Sequence, residues 1–192
     1  MNEEPRLFVA VPLSDAARAK VAAVVEQVRS GEPEGRGVRW VRLDGLHITL
    51  RFLGPAHEAR IDGVADAVRR AAAAAVPFEI RIHGADAFPP TGRPRTLWLD
   101  LDLGMDQLAT LAAGLDDALH GAGWERERRP FRAHLTLARA DGVRAGPSTV
   151  AALRAVAADL AIESSIDRMT LFESVTGVGR ARYIVRADAL LG

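Results

Sequence analysis

Two short stretches carry the side chains best able to do chemistry. "LHITLRFLG", Leu46 to Gly54, and "AHLTLARAD", Ala133 to Asp141, each write a histidine, an apolar residue, a threonine and a leucine in succession. In a β-strand residues i and i+2 share one face while i+1 and i+3 share the other. His47 and Thr49 therefore project together with Ile48 and Leu50 anchored in the core, and His134 and Thr136 do the same against Leu135 and Leu137. One histidine in an apolar strand is ordinarily a hydrogen-bonded structural residue. A second copy of the pattern, 87 positions later, argues for a shared task. Two imidazoles suit in-line displacement at phosphorus, where one activates the nucleophile and the other protonates the leaving oxygen. With an ordinary pKa of about 6.5, one ring can be neutral and the other charged near neutral pH. The threonine hydroxyls are neutral donors that can hold non-bridging phosphate oxygens without drawing either imidazole pKa far upward.

Other chemistries are excluded by composition. There is no cysteine, hence no thiolate nucleophile, disulfide framework or cysteine-based zinc site. Lys20, the only lysine, sits in "ARAKVAAVV", which is neither a phosphate-binding loop nor a lysyl-nucleotide motif. No His, Asp or Glu residues show zinc spacing such as HExxH, so neither metal nor cofactor is expected. His57, His83 and His120 lack companions and read as surface or structural residues. The 25 basic and 25 acidic residues cancel, which removes the global signature of a nucleic-acid binder and requires any RNA contact to be local. Arg126, Arg128, Arg129 and Arg132, crowded ahead of the second motif, are candidates for steering phosphates, with a solvated loop as the equal alternative. Phe8 is a candidate for base stacking if its strand face lines the site, a core position being the alternative.

The elements that must position these residues follow from hydrophobic period and punctuation. Strands are predicted at Arg6 to Val11, Val38 to Val41, His47 to Leu53, in "PFEIRIHG" and "RTLWLDLDL", and at the second motif. A terminal hairpin pairs Ile166 to Ser174 with Ala181 to Ala187 across "VTGVGR". Helices are predicted from a Ser14 cap to about Arg29, and over about Glu58 to Ala75, Asp106 to His120 and Thr149 to Ala158. Paired strands with helices between the pairs indicate an α+β fold of antiparallel sheets flanked by helices. The recurrence of the motif suggests two pseudo-symmetric lobes with a cleft between them, within a single bilobal domain over residues 1–192. No apolar run approaches the ~20 residues of a membrane span, and the acidic start "MNEEPRLFVAVPL" does not resemble a secretory signal. A cytoplasmic protein that meets no membrane is expected.

"LFVAVPL", "LHITLRFLG", "TLWLDL", "RPFRAHLTLAR" and "LFESVTGVGRARYIV" together resemble the 2H phosphoesterases. The likeness is to the bacterial and archaeal RNA 2',3'-cyclic phosphodiesterases once described as 2'-5' RNA ligases, and it covers nearly the whole chain. It implies a two-lobed α+β fold and metal-free hydrolysis of a 2',3'-cyclic phosphate to a 2'-phosphate. It also implies His47 as proton donor to the ribose leaving oxygen, His134 as proton acceptor for water, Thr49 and Thr136 on the phosphate, and Arg139 beside it. RNA with 2',3'-cyclic phosphate ends, or cyclic nucleotides, are the implied substrates, with the protein a monomer. The family commonly has proline before the second motif histidine, where this chain has Ala133. ATP-independent 2'-5' ligation by the same two histidines, action on a small cyclic phosphate, and a non-catalytic RNA-binding module are the alternatives. Intact pairs of both His and Thr speak against the last.

Overall fold

The structure, a computed structural model, describes residues 4–31, 38–140, 146–175 and 181–192. Strand β1 (Arg6–Pro12) alternates little because its interior residues are buried on both faces, from Leu7 to Val11. Helix α1 (Asp15–Gly31) starts where expected, with Ser14 Oγ accepting the Ala17 N–H at 3.2 Å, Asp15 in the first turn and Arg29 in the last. After the two-residue β2 (Arg39–Trp40) come β3 (His47–Pro55), α2 (Ile61–Ala73), β4 (Phe78–Phe88), β5 (Thr96–Leu103) and α3 (Met105–Gly121). The chain ends with β6 (Leu135–Arg139), α4 (Gly146–Ala157), β7 (Ile162–Ile166), β8 (Arg168–Val175) and β9 (Arg182–Leu190). The fold is α+β, with an antiparallel sheet ordered β7-β4-β5-β6-β3-β1-β8-β9 and β2 paired beside β6.

Two four-strand halves meet in the middle of that order. The sequence strand, helix, motif strand, helix occurs twice, as β1-α1-β3-α2 and β5-α3-β6-α4. Each motif strand is flanked by the first strand of its own repeat, β3 by β1 and β6 by β5. The strands that follow cross over: β4, after α2, lies beside β5, while β8, later in the chain than α4, lies beside β1. Helices exchange as well, α2 packing on β8, β9 and α3, and α1 packing on α4 and β7. Each half of the chain therefore completes the other half's sheet, and the apolar residues beneath join in a single core cluster.

Two departures from the sequence reading have local causes. The strand β7 is not expected from sequence because "IESSI" carries three polar residues; in the fold Ile162, Ser164 and Ile166 alternate inward, and the buried Ser164 Oγ accepts the Ser14 N–H at 3.0 Å. Helix α4 begins at Gly146, three residues before the predicted start, because Pro147 sits in its first turn, where a missing N–H costs nothing. The hairpin β8–β9 forms as predicted, while most of "VTGVGR" lies outside the described residues.

Gly104 starts α3 at φ +84°, and a Cβ there would come within 2.7 Å of the Glu79 carbonyl oxygen. Gly104→Ala should lower the unfolding free energy by about 2 kcal/mol or more, read from the midpoint of urea denaturation. Unchanged stability would contradict this close approach of Gly104 to β4.

Candidate active site

The two motif strands are neighbours. They run antiparallel through one ladder pair, Ile48 opposite Leu135, both fully buried. One step to either side, that register turns His47 toward Thr136 and Thr49 toward His134. Each histidine thus faces the other motif's threonine, with a local twofold axis through the seam.

Alternation breaks at an equivalent position in each motif strand, and a second time in β3, where the register skips Leu53. The β1–β3 register skips Leu50, with Val9 opposite Arg51 and Ala10 opposite Thr49. The β5–β6 register skips Leu137, with Leu97 opposite Ala138 and Trp98 opposite Thr136. Such a bulge leaves two consecutive residues on the same side, so alternation resumes one step late. Leu50 and Arg51, like Leu137 and Ala138, turn to the helix side, and the third residue after each threonine returns to the histidine's face. That residue is Phe52 in one strand, its ring 5.9 Å from Phe8, and Arg139 in the other, its Nη1 donating to Thr96 Oγ1 at 3.0 Å.

Both imidazoles are fixed in the same way. His47 Nδ1 lies 2.6 Å from the Gly45 carbonyl oxygen, and His134 Nδ1 lies 2.8 Å from that of Arg132, two residues upstream in each case. A carbonyl only accepts, so Nδ1 carries the proton and Nε2 is left for chemistry. Each ring rests on aromatic neighbours: Phe8 at 4.9 Å, Tyr183 at 5.2 Å and Phe172 at 5.8 Å around His47, Phe88 at 5.3 Å and Trp98 at 5.8 Å around His134. Gly45 has to be small here, because a Cβ would lie 3.0 Å from the Tyr183 ring.

Burial lowers the pKa of both histidines, opposed by the carbonyl bonds at Nδ1. The charge of His134 lowers His47 further, and Arg132 and Arg139 lower His134, with Asp100 pulling it the other way. The rings are electrostatically coupled, so a proton on one disfavours a proton on the other. Arg139 also acts on Tyr183 of the other half, opposing the upward push of burial on that phenol. A cavity of about 490 Å³ opens from His47 over Phe172, Tyr183 and Val185, and His134 is not among its lining residues.

A family model described as the 2'-5' RNA ligase superfamily matches residues 12–177. A protein of Archaeoglobus fulgidus named RNA 2',3'-cyclic phosphodiesterase is 36% identical over 134 residues, 70% of this chain and 72% of that protein. The chain belongs to the 2'-5' RNA ligase superfamily. A Bacillus subtilis protein of the same name is 32% identical over 135 residues, 70% of this chain and 71% of that one. The crystal structure of TT0787 of Thermus thermophilus superposes with a TM-score of 0.76 at 26% identity, covering 97% of both chains. Apo LigT of E. coli shares the fold, with a TM-score of 0.74 at 24% identity over 99% of each chain.

In this superfamily member the structure brings His47, Thr49, His134, Thr136 and Arg139 to one face at the seam. Phe8 reaches that face too, but it is 3% exposed and enclosed by His47, Phe52, Phe172 and Tyr183, so its ring has no side open to a base. The half-buried rings of Phe172 and Tyr183 line the cavity instead. Sequence reasoning missed them because the crossover of β8 and β9 that delivers them leaves no local signal. Of the loop arginines, Arg126 pairs with Asp117 at 2.6 Å and Arg129 with Glu127 at 3.4 Å, while Arg132 stacks 4.6 Å over the Trp98 ring beside His134. Arg51 was also missed: it pairs with Asp116 at 3.5 Å and Glu127 at 3.1 Å, and its Nη2 donates to the Glu125 carbonyl. That contact ties the segment entering the second motif to the strand of the first. Ala133, where the family commonly has proline, is buried at the seam. Away from the seam, His57 and His120 bond to nearby backbone groups and His83 Nδ1 lies 2.9 Å from the Leu160 carbonyl oxygen. Among the described residues no three His, Asp or Glu side chains cluster as a metal site.

Because both folded-state imidazole pKa values lie below the unfolded value of about 6.5, the folded protein binds fewer protons than the unfolded chain just under that pH. The resulting stabilisation is present above pH 6.5 and is lost as pH falls through the folded values. Titration by NMR should place both midpoints below 6.5, and His134→Gln should raise that of His47. A His47 midpoint at or above 6.5 in the free protein would contradict this electrostatic account.

Proposed function

We propose that the protein is a metal-independent RNA 2',3'-cyclic phosphodiesterase, acting as one bilobal unit and leaving a 2'-phosphate. The observation that carries the reading is the pair of imidazoles on adjacent strands, each pinned at Nδ1 and each facing the other motif's threonine. A cyclic phosphate bound across the seam meets Thr49, Thr136 and Arg139 at its non-bridging oxygens. Its negative charge counteracts the burial that depresses the imidazoles and lets one of them hold a second proton. Water attacks phosphorus in line with the P–O3' bond; the neutral ring takes the water proton at Nε2, and the charged ring gives its Nε2 proton to O3' as that bond breaks.

The cavity supports His47 as the acid. The ribose carries both the leaving oxygen and the base, so the nucleoside lies on the acid's side of phosphorus, whereas water needs no pocket. The space lined by Phe172, Tyr183 and Val185 opens from His47, with aromatic faces on which a base can stack. His134 is left beside the attacking water. The names of the relatives from Archaeoglobus fulgidus and Bacillus subtilis accord with this activity.

His47→Ala and His134→Ala should each lower turnover of a 2',3'-cyclic mononucleotide at least ~100-fold without loss of circular dichroism. Near-full activity in either folded variant would refute the two-histidine mechanism. Activity should survive EDTA; loss restored by a divalent ion would indicate metal-assisted hydrolysis. Phosphorus NMR should show a 2'-phosphate, whereas a 3'-phosphate would place the acid at O2'.

A further inference from the structure

Arg139 reaches the open face at the end of β6, and the hydroxyl that meets it there belongs to β5. We propose that Thr96 is a positioning residue that aims the Arg139 guanidinium at the non-bridging oxygens of the bound phosphate. The proposal rests on the phosphodiesterase reading above, in which Arg139 meets those oxygens.

Thr96 lies opposite Arg139 in the β5–β6 ladder, and its Oγ1 accepts from Arg139 Nη1 at 3.0 Å. It stands two residues before Trp98, which lies opposite Thr136, so its side chain projects to the histidine face. Leu97, Trp98 and Leu99 after it are fully buried, and Thr96 itself is 7% exposed. Packing at such a strand position is met equally well by valine, which has the shape of threonine without the hydroxyl. The other half of the fold shows what stands there when no cation has to be held: Phe8 takes the place of Thr96, opposite Phe52, and the two rings lie 5.9 Å apart. In one half the bulge returns an apolar ring that meets an apolar ring. In the other it returns a guanidinium that meets a hydroxyl.

Arg139 is an exposed side chain, and on the other edge of β6 its register partner is Arg39, a like charge that repels it. The bond to Thr96 ties one nitrogen of the planar fork to a buried oxygen and leaves the other N–H groups for phosphate. The charge of Arg139 lowers both the His134 imidazole and the Tyr183 phenol, which belong to opposite halves, as a cation held at the seam should. Negative charge grows on the non-bridging oxygens as water adds to phosphorus, and a donor oriented in advance stabilises it without reorganisation. A mobile guanidinium still attracts the ground-state phosphate, so loss of the anchor falls on kcat more than on KM.

On a 2',3'-cyclic mononucleotide, Thr96→Val should lower kcat about tenfold with KM within about threefold, the scale of a hydrogen bond to a charged group. Thr96→Ser keeps the oxygen and should stay within about twofold of the native rate. In an Arg139→Met background Thr96→Val should change kcat by less than about twofold, because its effect passes through Arg139. Native kcat in Thr96→Val, the same loss in Thr96→Ser, or an undiminished loss without Arg139 overturns the proposal. Thr96→Ala takes the place of the valine variant should that one not fold. Nitrogen-15 relaxation of the Arg139 Nε–H, assigned by its disappearance in Arg139→Lys, reads the aim without turnover. That group should be ordered in the native protein and in Thr96→Ser, and mobile in Thr96→Val; equal mobility in all three overturns the proposal. An inactive native protein would count against the phosphodiesterase reading by itself, and the relaxation measurement would still decide whether Thr96 holds Arg139.

Discussion

The backbone pairing of Ile48 with Leu135 is the contact on which the site depends. Strands of nine and five residues that could pair along more of their length pair once and then diverge. That single pair fixes the register, and a slip of one residue would put the two histidines on opposite faces. It also leaves the strands unpaired with each other on either side while the half-sheets remain one structure. Behind the seam the crossed helices and strands hold both sides in a common core, and Arg51 locks the loop entering the second motif to the strand of the first.

Symmetry supplies two imidazoles, and departures from symmetry give them unequal surroundings. The carbonyl at Nδ1, the aromatic support and the bulge recur in both halves. The residue that each bulge returns to the open face does not: Phe52 in one half, Arg139 in the other. The cavity of about 490 Å³ opens on the His47 side, while Arg132 and Arg139 depress the His134 pKa on the other. The His47 side carries the rings of Phe172 and Tyr183 with charged residues around them; on the other side Arg132 and Arg139 bias His134 toward the neutral imidazole. A neutral ring beside the water and a ring charged by the bound phosphate beside the ribose are the states that in-line hydrolysis needs.

Sequence made some of this legible. The period of two in "HITL" and "HLTL" was enough to place both His–Thr pairs on one face, and the repeat was enough to suggest related halves. The β8–β9 hairpin was visible in its alternation. The bulges were not, because Leu50 and Leu137 look like ordinary inward residues and only strand pairing shows that each is an extra one. The direction of Arg139 follows from that bulge, so the residue could be named from resemblance but not aimed. Phe8 shows the opposite failure: its face was foreseeable, its enclosure by Phe172 and Tyr183 was not, since those rings come from strands more than 160 positions away. The short β7 was hidden because Ser164 takes an inward position that an apolar pattern would have marked.

The central claim is that one imidazole protonates the leaving oxygen while the other, across the seam, activates water. A 2',3'-cyclic mononucleotide in which sulfur replaces O3' tests it most directly, because a thiolate leaves without a proton. On that substrate His47→Ala should recover to near the native rate while His134→Ala remains impaired, the base still being required. Equal impairment of His47→Ala on the oxygen and sulfur substrates would contradict the assignment of that ring as the acid.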